Sequence, residues 1–186
     1  MTTTTSAPDD FTYARASIAL HWLMLLLLAA VYACIELRVL FERGSDLREG
    51  IKAWHFSLGL CVLALVIARV VIRVRSPRPP RPASPMEWLG AAMHLALYAL
   101  MLAMPVMGWV TLSAEGDPVL LFGLQLPPLV APNEALAKQV EGLHERIGTI
   151  GYWLIGFHAA AALMHHYLLR DGTMRRMAPG LGAPKV

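Results

Sequence analysis

Apolar and polar positions along this chain fall into long blocks rather than short periods. Four apolar runs stand out: Ala16 to about Leu37, Ala53 to Val74, Trp88 to Leu112, and Ile147 to Leu169. The first is broken only by Ser17, His21 and Glu36. Each run is close to the roughly 20 residues a helix needs to cross the hydrocarbon core of a bilayer. Short polar links separate them, so the pattern predicts an all-α integral membrane protein, a four-helix up-down bundle. Its helices are expected at about 15–37, 53–74, 88–112 and 144–169. One membrane domain, 13–179, holds all four. Residues 1–12 are polar and expected to be disordered, and 180–186 form a C-terminal tail.

Composition narrows the class. Of 186 residues, 56% are hydrophobic and 16% charged, with a mean hydropathy of +0.52, too apolar for an ordinary soluble domain. The net charge of +3 is small and its arginines sit in short links, so lipid rather than nucleic acid is the expected partner. Cys34 and Cys61 both fall inside apolar runs, where they read as small packing residues rather than a disulfide. The opening MTTTTSAPDDFTYARAS lacks a basic region followed by a small-residue cleavage site, so no signal peptide is expected.

Charge also predicts orientation. Arg15, the five arginines from Arg69 to Arg81, Arg170, Arg175, Arg176 and Lys185 place ten cations on one side. Arg38, Arg43, Arg48, Lys52, Lys138 and Arg146 place six on the other, among nine acidic residues. The positive-inside rule puts both termini in the cytoplasm. The link SPRPPRPASP (Ser76 to Pro85) is then a semi-rigid cytoplasmic spacer. The outer link, Ser113 to Glu141, contains PVLLFGLQLPPLV, too short to span and too apolar to float free. It should lie at the interface or fold over the mouth of the bundle.

The polar residues inside the apolar runs carry the chemistry. Histidine within a membrane helix is costly and faces the interior with a partner. His144 and His158 are 14 residues apart, which in a helix is about 21 Å along the axis and only about 40° around it. One face of the last helix thus offers two imidazoles at two depths. With alternating helix directions, His55 shares the outer level with His144, and His21 lies at the inner level. Two bis-imidazole sites stacked across the membrane follow, as expected for two haem groups whose iron has no open position and serves electron transfer. Gly59 and Gly148, each one turn beyond an outer histidine, would leave room for a porphyrin or simply let helices pack closely. The inner ligand on the last helix stays open on geometry. His21 is about 9 Å from Arg15, whereas His158 is about 18 Å and His165 about 8 Å from Arg170.

The pieces IALHW, a lone histidine heading the second helix, HLALYALMLAMPVMG, and LHERIGTIGYWLIGFHAAAALMHHYLLRDGTMRRMAP resemble the bacterial cytochrome b561 family from Tyr13 to Pro179. Within it they are similar to the di-haem members that oxidise superoxide and reduce ubiquinone. The resemblance implies two haem b groups, one on His21 and His158 and the other on His55 and His144, in a multi-pass protein of the bacterial inner membrane. It assigns His165 no iron and implies that this residue, on the ligand face, contacts a ubiquinone carbonyl. Arg69 is expected to pair with a haem propionate or to snorkel to the inner headgroups. His166 has a weaker claim to the quinone, and His94, with no counterpart at its depth, reads as a packing residue. The function implied is oxidation of periplasmic superoxide to oxygen, with electrons passing to ubiquinone. The alternative is a cytochrome b carrier that links the quinone pool to a separate redox partner. A small transporter or assembly protein with structural histidines is the reading from outside redox chemistry.

Overall fold

The structure is a computed structural model that describes residues 13–75, 85–170 and 173–178. The N-terminus expected to be disordered (1–12), nearly all of the proline-rich spacer (76–84) and the tail (180–186) lie outside the described residues. Four long helices dominate: α1 (Arg15–Leu37), α2 (Asp46–Arg75), α3 (Pro85–Glu115) and α4 (Glu134–Met164). A 3-10 turn, Arg38–Leu40, ends α1, and a π-helical turn, His165–Leu169, continues α4. All four are long and apolar enough to cross a membrane.

The helices outrun the apolar runs because their polar ends are suited to helix termini. Asp46 and Glu49 occupy the first turn of α2, where the helix dipole favours negative charge, and Arg73 and Arg75 occupy its last turn. Asn133 caps α4, its side-chain oxygen accepting the Leu136 N–H at 3.0 Å. Pro105 lies inside α3 with no N–H to give, yet the helix runs through it.

Met24, Val62, Val66 and Met101 form a buried cluster at the junction of α1, α2 and α3. Most large apolar side chains instead point outwards, Leu26 at 68%, Leu95 at 71% and Trp88 at 72% exposure among them. Such a surface is stable only where lipid replaces water. Packing follows chain order: α1 on α2, α2 on α3, α3 on α4. Among the described residues, neither α1 nor α2 brings a Cα atom within 8 Å of one in α4. Only side chains cross those two gaps.

The outer link folds back over one end of the helices as a hairpin of β1 (Val119–Leu121) and β2 (Leu124–Leu126), with Val119 opposite Leu126. Its two-residue turn has Phe122 at φ 48° and Gly123 at φ 89°, the mirror-image turn that matches strand twist. The buried Ser57 of α2 pins it. The Ser57 hydroxyl donates to the Leu120 carbonyl at 3.2 Å and accepts the Phe122 N–H at 3.1 Å. Trp109 Nε1 donates to the Pro127 carbonyl at 3.1 Å, fixing the segment just after β2. At the far end, Trp22 Nε1 donates to the Met177 carbonyl at 2.9 Å, so the chain after α4 folds back onto α1.

Candidate cofactor site

The two gaps beside α4 are where the histidines meet. On the hairpin side, His55 of α2 faces His144 of α4 with ring centres 6.3 Å apart and planes at 71°. On the far side, His21 of α1 faces His158 of α4, again at 6.3 Å, with planes at 65°. A metal–imidazole bond of about 2 Å, plus about 1.1 Å from nitrogen to ring centre, places two imidazoles on one iron with centres about 6.2 Å apart. Both pairs stand at that separation. Among the described residues no group of three or more His, Cys, Asp or Glu side chains could enclose a bare ion. Two opposed imidazoles suit a metal that brings its own equatorial ligands, as haem does.

Local structure prepares the hairpin-side pair for this role. His55 Nδ1 lies 3.1 Å from the Val31 carbonyl. A carbonyl can only accept, so Nδ1 carries the proton and Nε2 keeps its lone pair for a metal. His144 Nδ1 is buried beside the Met104 backbone, without a hydrogen bond of good geometry. A narrow cleft of about 80 Å³, partly open to the outside, is lined by both rings and by Tyr32, Gly59, Met104, Pro105, Gly108 and Trp109. A Cβ at Gly59 would meet nothing within 4 Å, so its missing side chain opens the cleft. Gly148 differs: a Cβ there would stand 3.4 Å from Met104 Cε, so its smallness serves the packing of α4 on α3.

Tyr32 separates the two levels. It reaches from α1 across to α4, where its hydroxyl donates to the Gly148 carbonyl at 3.0 Å. Its ring packs 4.3 Å from that of Tyr152, whose hydroxyl donates to Glu36 Oε1 at 2.5 Å. These bonds hold α1 and α4 at the spacing that the far-side imidazoles need.

The other expected site residues divide. His165 and His166 lie in the π-helical turn; His166 is 7% exposed and against Tyr167, while His165 is half-buried. The wider turn sends the second of the pair inwards, which a uniform 3.6-residue count does not anticipate. His94, expected to pack without a counterpart, has its ring 5.4 Å from that of His158. Depth counted from the apolar edge of the third run missed this because α3 begins earlier, at Pro85. Arg69 faces inwards: its Nε and Nη1 are buried without hydrogen-bond partners, and its charge acts on both His21 and His158. Arg38, which sequence reasoning counted only as an outer cation, has a buried unpartnered Nε, and its charge acts on His55. Its place at the end of α1, near the level of His55, was the available signal.

Fold and site together define a multi-pass membrane protein that holds imidazoles in opposed pairs between its helices. The model of prokaryotic cytochrome b561 matches residues 12–180. The chain is 36% identical over 171 residues to "Cytochrome b561 homolog 1" of Escherichia coli (strain K12), covering 90% of this chain and 97% of that protein. It is also 36% identical over 170 residues to "Probable superoxide oxidase CybB" of Yersinia pestis, with coverage of 90% and 96%. "Cytochrome b561 homolog 2" of Escherichia coli (strain K12) is 32% identical over 177 residues, 93% of each chain. The protein belongs to the prokaryotic cytochrome b561 family. It is a multi-pass protein of the bacterial inner membrane and an electron-transfer protein of a family that uses haem b.

Proposed function

We propose that the chain is a superoxide:ubiquinone oxidoreductase with two haem b groups, held by His55 and His144 near the periplasm and by His21 and His158 nearer the cytoplasm. The observation that carries this reading is the repeated 6.3 Å spacing of two imidazole pairs, each across a gap between helices whose backbones do not meet. The up-down arrangement with both termini cytoplasmic belongs to the same proposal. When bound, the haems supply one-electron transfer between the membrane faces. His21, His55, His144 and His158 would hold the two groups in opposed pairs, and the chemistry supplied there would be electron transfer rather than binding of oxygen. The hairpin and Trp109 restrict access at the periplasmic side. Two superoxide anions give two molecules of oxygen, while one ubiquinone gains two electrons and two protons. His165, half-buried below His158, donates a hydrogen bond to the quinone carbonyl and supplies one proton. The curated relative named as a probable superoxide oxidase supports the choice of substrate.

The second reading, a cytochrome b that carries electrons to a separate enzyme, is favoured by the surplus of acidic over basic residues at the hairpin end. One experiment separates the two. Purified protein in detergent should show a b-type reduced-minus-oxidised spectrum. Superoxide should then reduce its haem rapidly and form ubiquinol with no partner present. Haem that stays oxidised would select the carrier, and absence of a b-type α-band would exclude both. In the same preparation His158→Ala should lose about half the haem, whereas His165→Ala should keep all of it and slow quinol formation.

A further inference from the structure

Two arginines have buried nitrogens that nothing in the described chain satisfies, and each belongs to one imidazole pair. Arg69, on α2, has Nε and Nη1 shielded from solvent and without partners, and its charge acts on His21 and His158. Arg38, in the 3-10 turn after α1, has Nε in the same condition, and its charge acts on His55. Its backbone is fixed, because Arg48 Nη1 donates to the carbonyls of Arg38 at 3.2 Å and Phe41 at 2.9 Å. A guanidinium nitrogen buried without a partner is costly for a membrane protein to hold. The guanidinium's planar fork of donors matches one ligand above others, a carboxylate or phosphate taken by parallel hydrogen bonds. A lipid phosphate would be met by nitrogens at the lipid surface, a role open to Arg73 and Arg75 in the last turn of α2. The stranded atoms of Arg69 and Arg38 are instead enclosed by protein.

We propose that each arginine binds a carboxylate of the cofactor held by the neighbouring imidazoles, Arg38 at the His55–His144 level and Arg69 at the His21–His158 level. The proposal rests on the haem reading above, since haem b carries two carboxylates. Each level is then a three-residue site, two imidazoles for the metal and one guanidinium for the rim. The cation compensates a carboxylate that would otherwise favour the more positive, oxidised metal. Arg69 and Arg38 therefore raise the reduction potential of their own haem and leave the other alone.

Redox titration of the purified holoprotein, followed optically and by electron paramagnetic resonance, tests this with Arg38→Leu, Arg69→Leu and the two lysine variants. Arg69→Leu should weaken reduction of one haem at least tenfold, about 59 mV for one electron. That haem should be the one missing from His158→Ala. Arg38→Leu should do the same to the other haem only, and lysine should recover part of each shift. Loss of a single haem from its own leucine variant, with the other unmoved, would equally support the assignment. Unshifted potentials, a common shift of both haems, or loss of both haems with lysine as well as leucine would overturn it. Wild-type protein that purifies without any b-type spectrum would fail the haem reading itself, before any arginine is changed.

Discussion

Gly151 lies where Tyr32 crosses from α1 to α4, and a Cβ there would collide with the Tyr32 hydroxyl and crowd Leu100 Cδ2 at 3.2 Å. The hydroxyl cannot simply turn away without losing its bond to the Gly148 carbonyl. Gly151→Ala should therefore destabilise the protein by about 1–3 kcal/mol, as overpacking does elsewhere. Tyr32→Phe alone should cost about 1 kcal/mol for the lost hydrogen bond. In the double variant the colliding oxygen is gone, so the two costs should add to less than their sum. Thermal midpoints in detergent measure all three, and strict additivity would show that the contact does not matter. None of this was legible in the sequence, where Gly151 is one of several glycines along an apolar helix. His21, His55 and His144 were legible, because polar residues at helical spacing inside apolar runs are few and their depths can be counted; depth did not separate His158 from His165, and only the family resemblance chose between them. His94 and Arg38 were missed for a related reason: depth counted from the edge of an apolar run fails wherever the helix extends past that edge.

At the scale of elements, the four apolar runs located the helices because membrane-facing surface must be apolar whatever the packing inside. Their ends were less visible, since residues such as Asp46, Glu49 and Asn133 read equally well as loop. The hairpin was harder still. A two-residue turn of its type is usually announced by Asn-Gly or Asp-Gly, and here Phe122 takes the first position at φ 48°. Tertiary contacts compensate, chiefly the two bonds to Ser57 and the edge contact of Phe122 with Trp54 at 5.5 Å. Ser57→Ala would leave one N–H and one carbonyl of the hairpin without their partner, at about 1–3 kcal/mol. The loss should appear locally, as faster amide hydrogen exchange across residues 119–126 with α2 unchanged. If exchange there stays as slow as in the unsubstituted protein, the hydroxyl is not what holds the hairpin over the cleft.

Across the whole molecule, charge decides how an anionic substrate approaches. The hairpin end carries six basic and nine acidic residues, and Arg38, Arg48, Lys52 and Lys138 each have a local role already. Lys138 pairs with Glu134 at 2.6 Å, Arg48 is bonded to two carbonyls, and Lys52 lies over the Phe56 ring with its charge acting on Glu115. Arg38 is directed inwards, towards the His55 level. Acidic residues outnumber basic ones at this end, so an anion such as the superoxide of the proposed reaction would approach against the net charge. Salt screens such a field over roughly 10 Å at 0.1 M. The rate constant for haem reduction by superoxide should therefore rise with ionic strength, opposite to the fall that accompanies electrostatic steering. Stopped-flow rates across a salt series at constant pH measure the sign. A steep fall would mean that Lys52 and Arg146, the cations nearest His55 and His144 in sequence, form an attractive mouth that outweighs the surrounding acids. A rise would mean that the proposed anionic substrate enters by diffusion against the field, and that selectivity lies in the hairpin rather than in attraction.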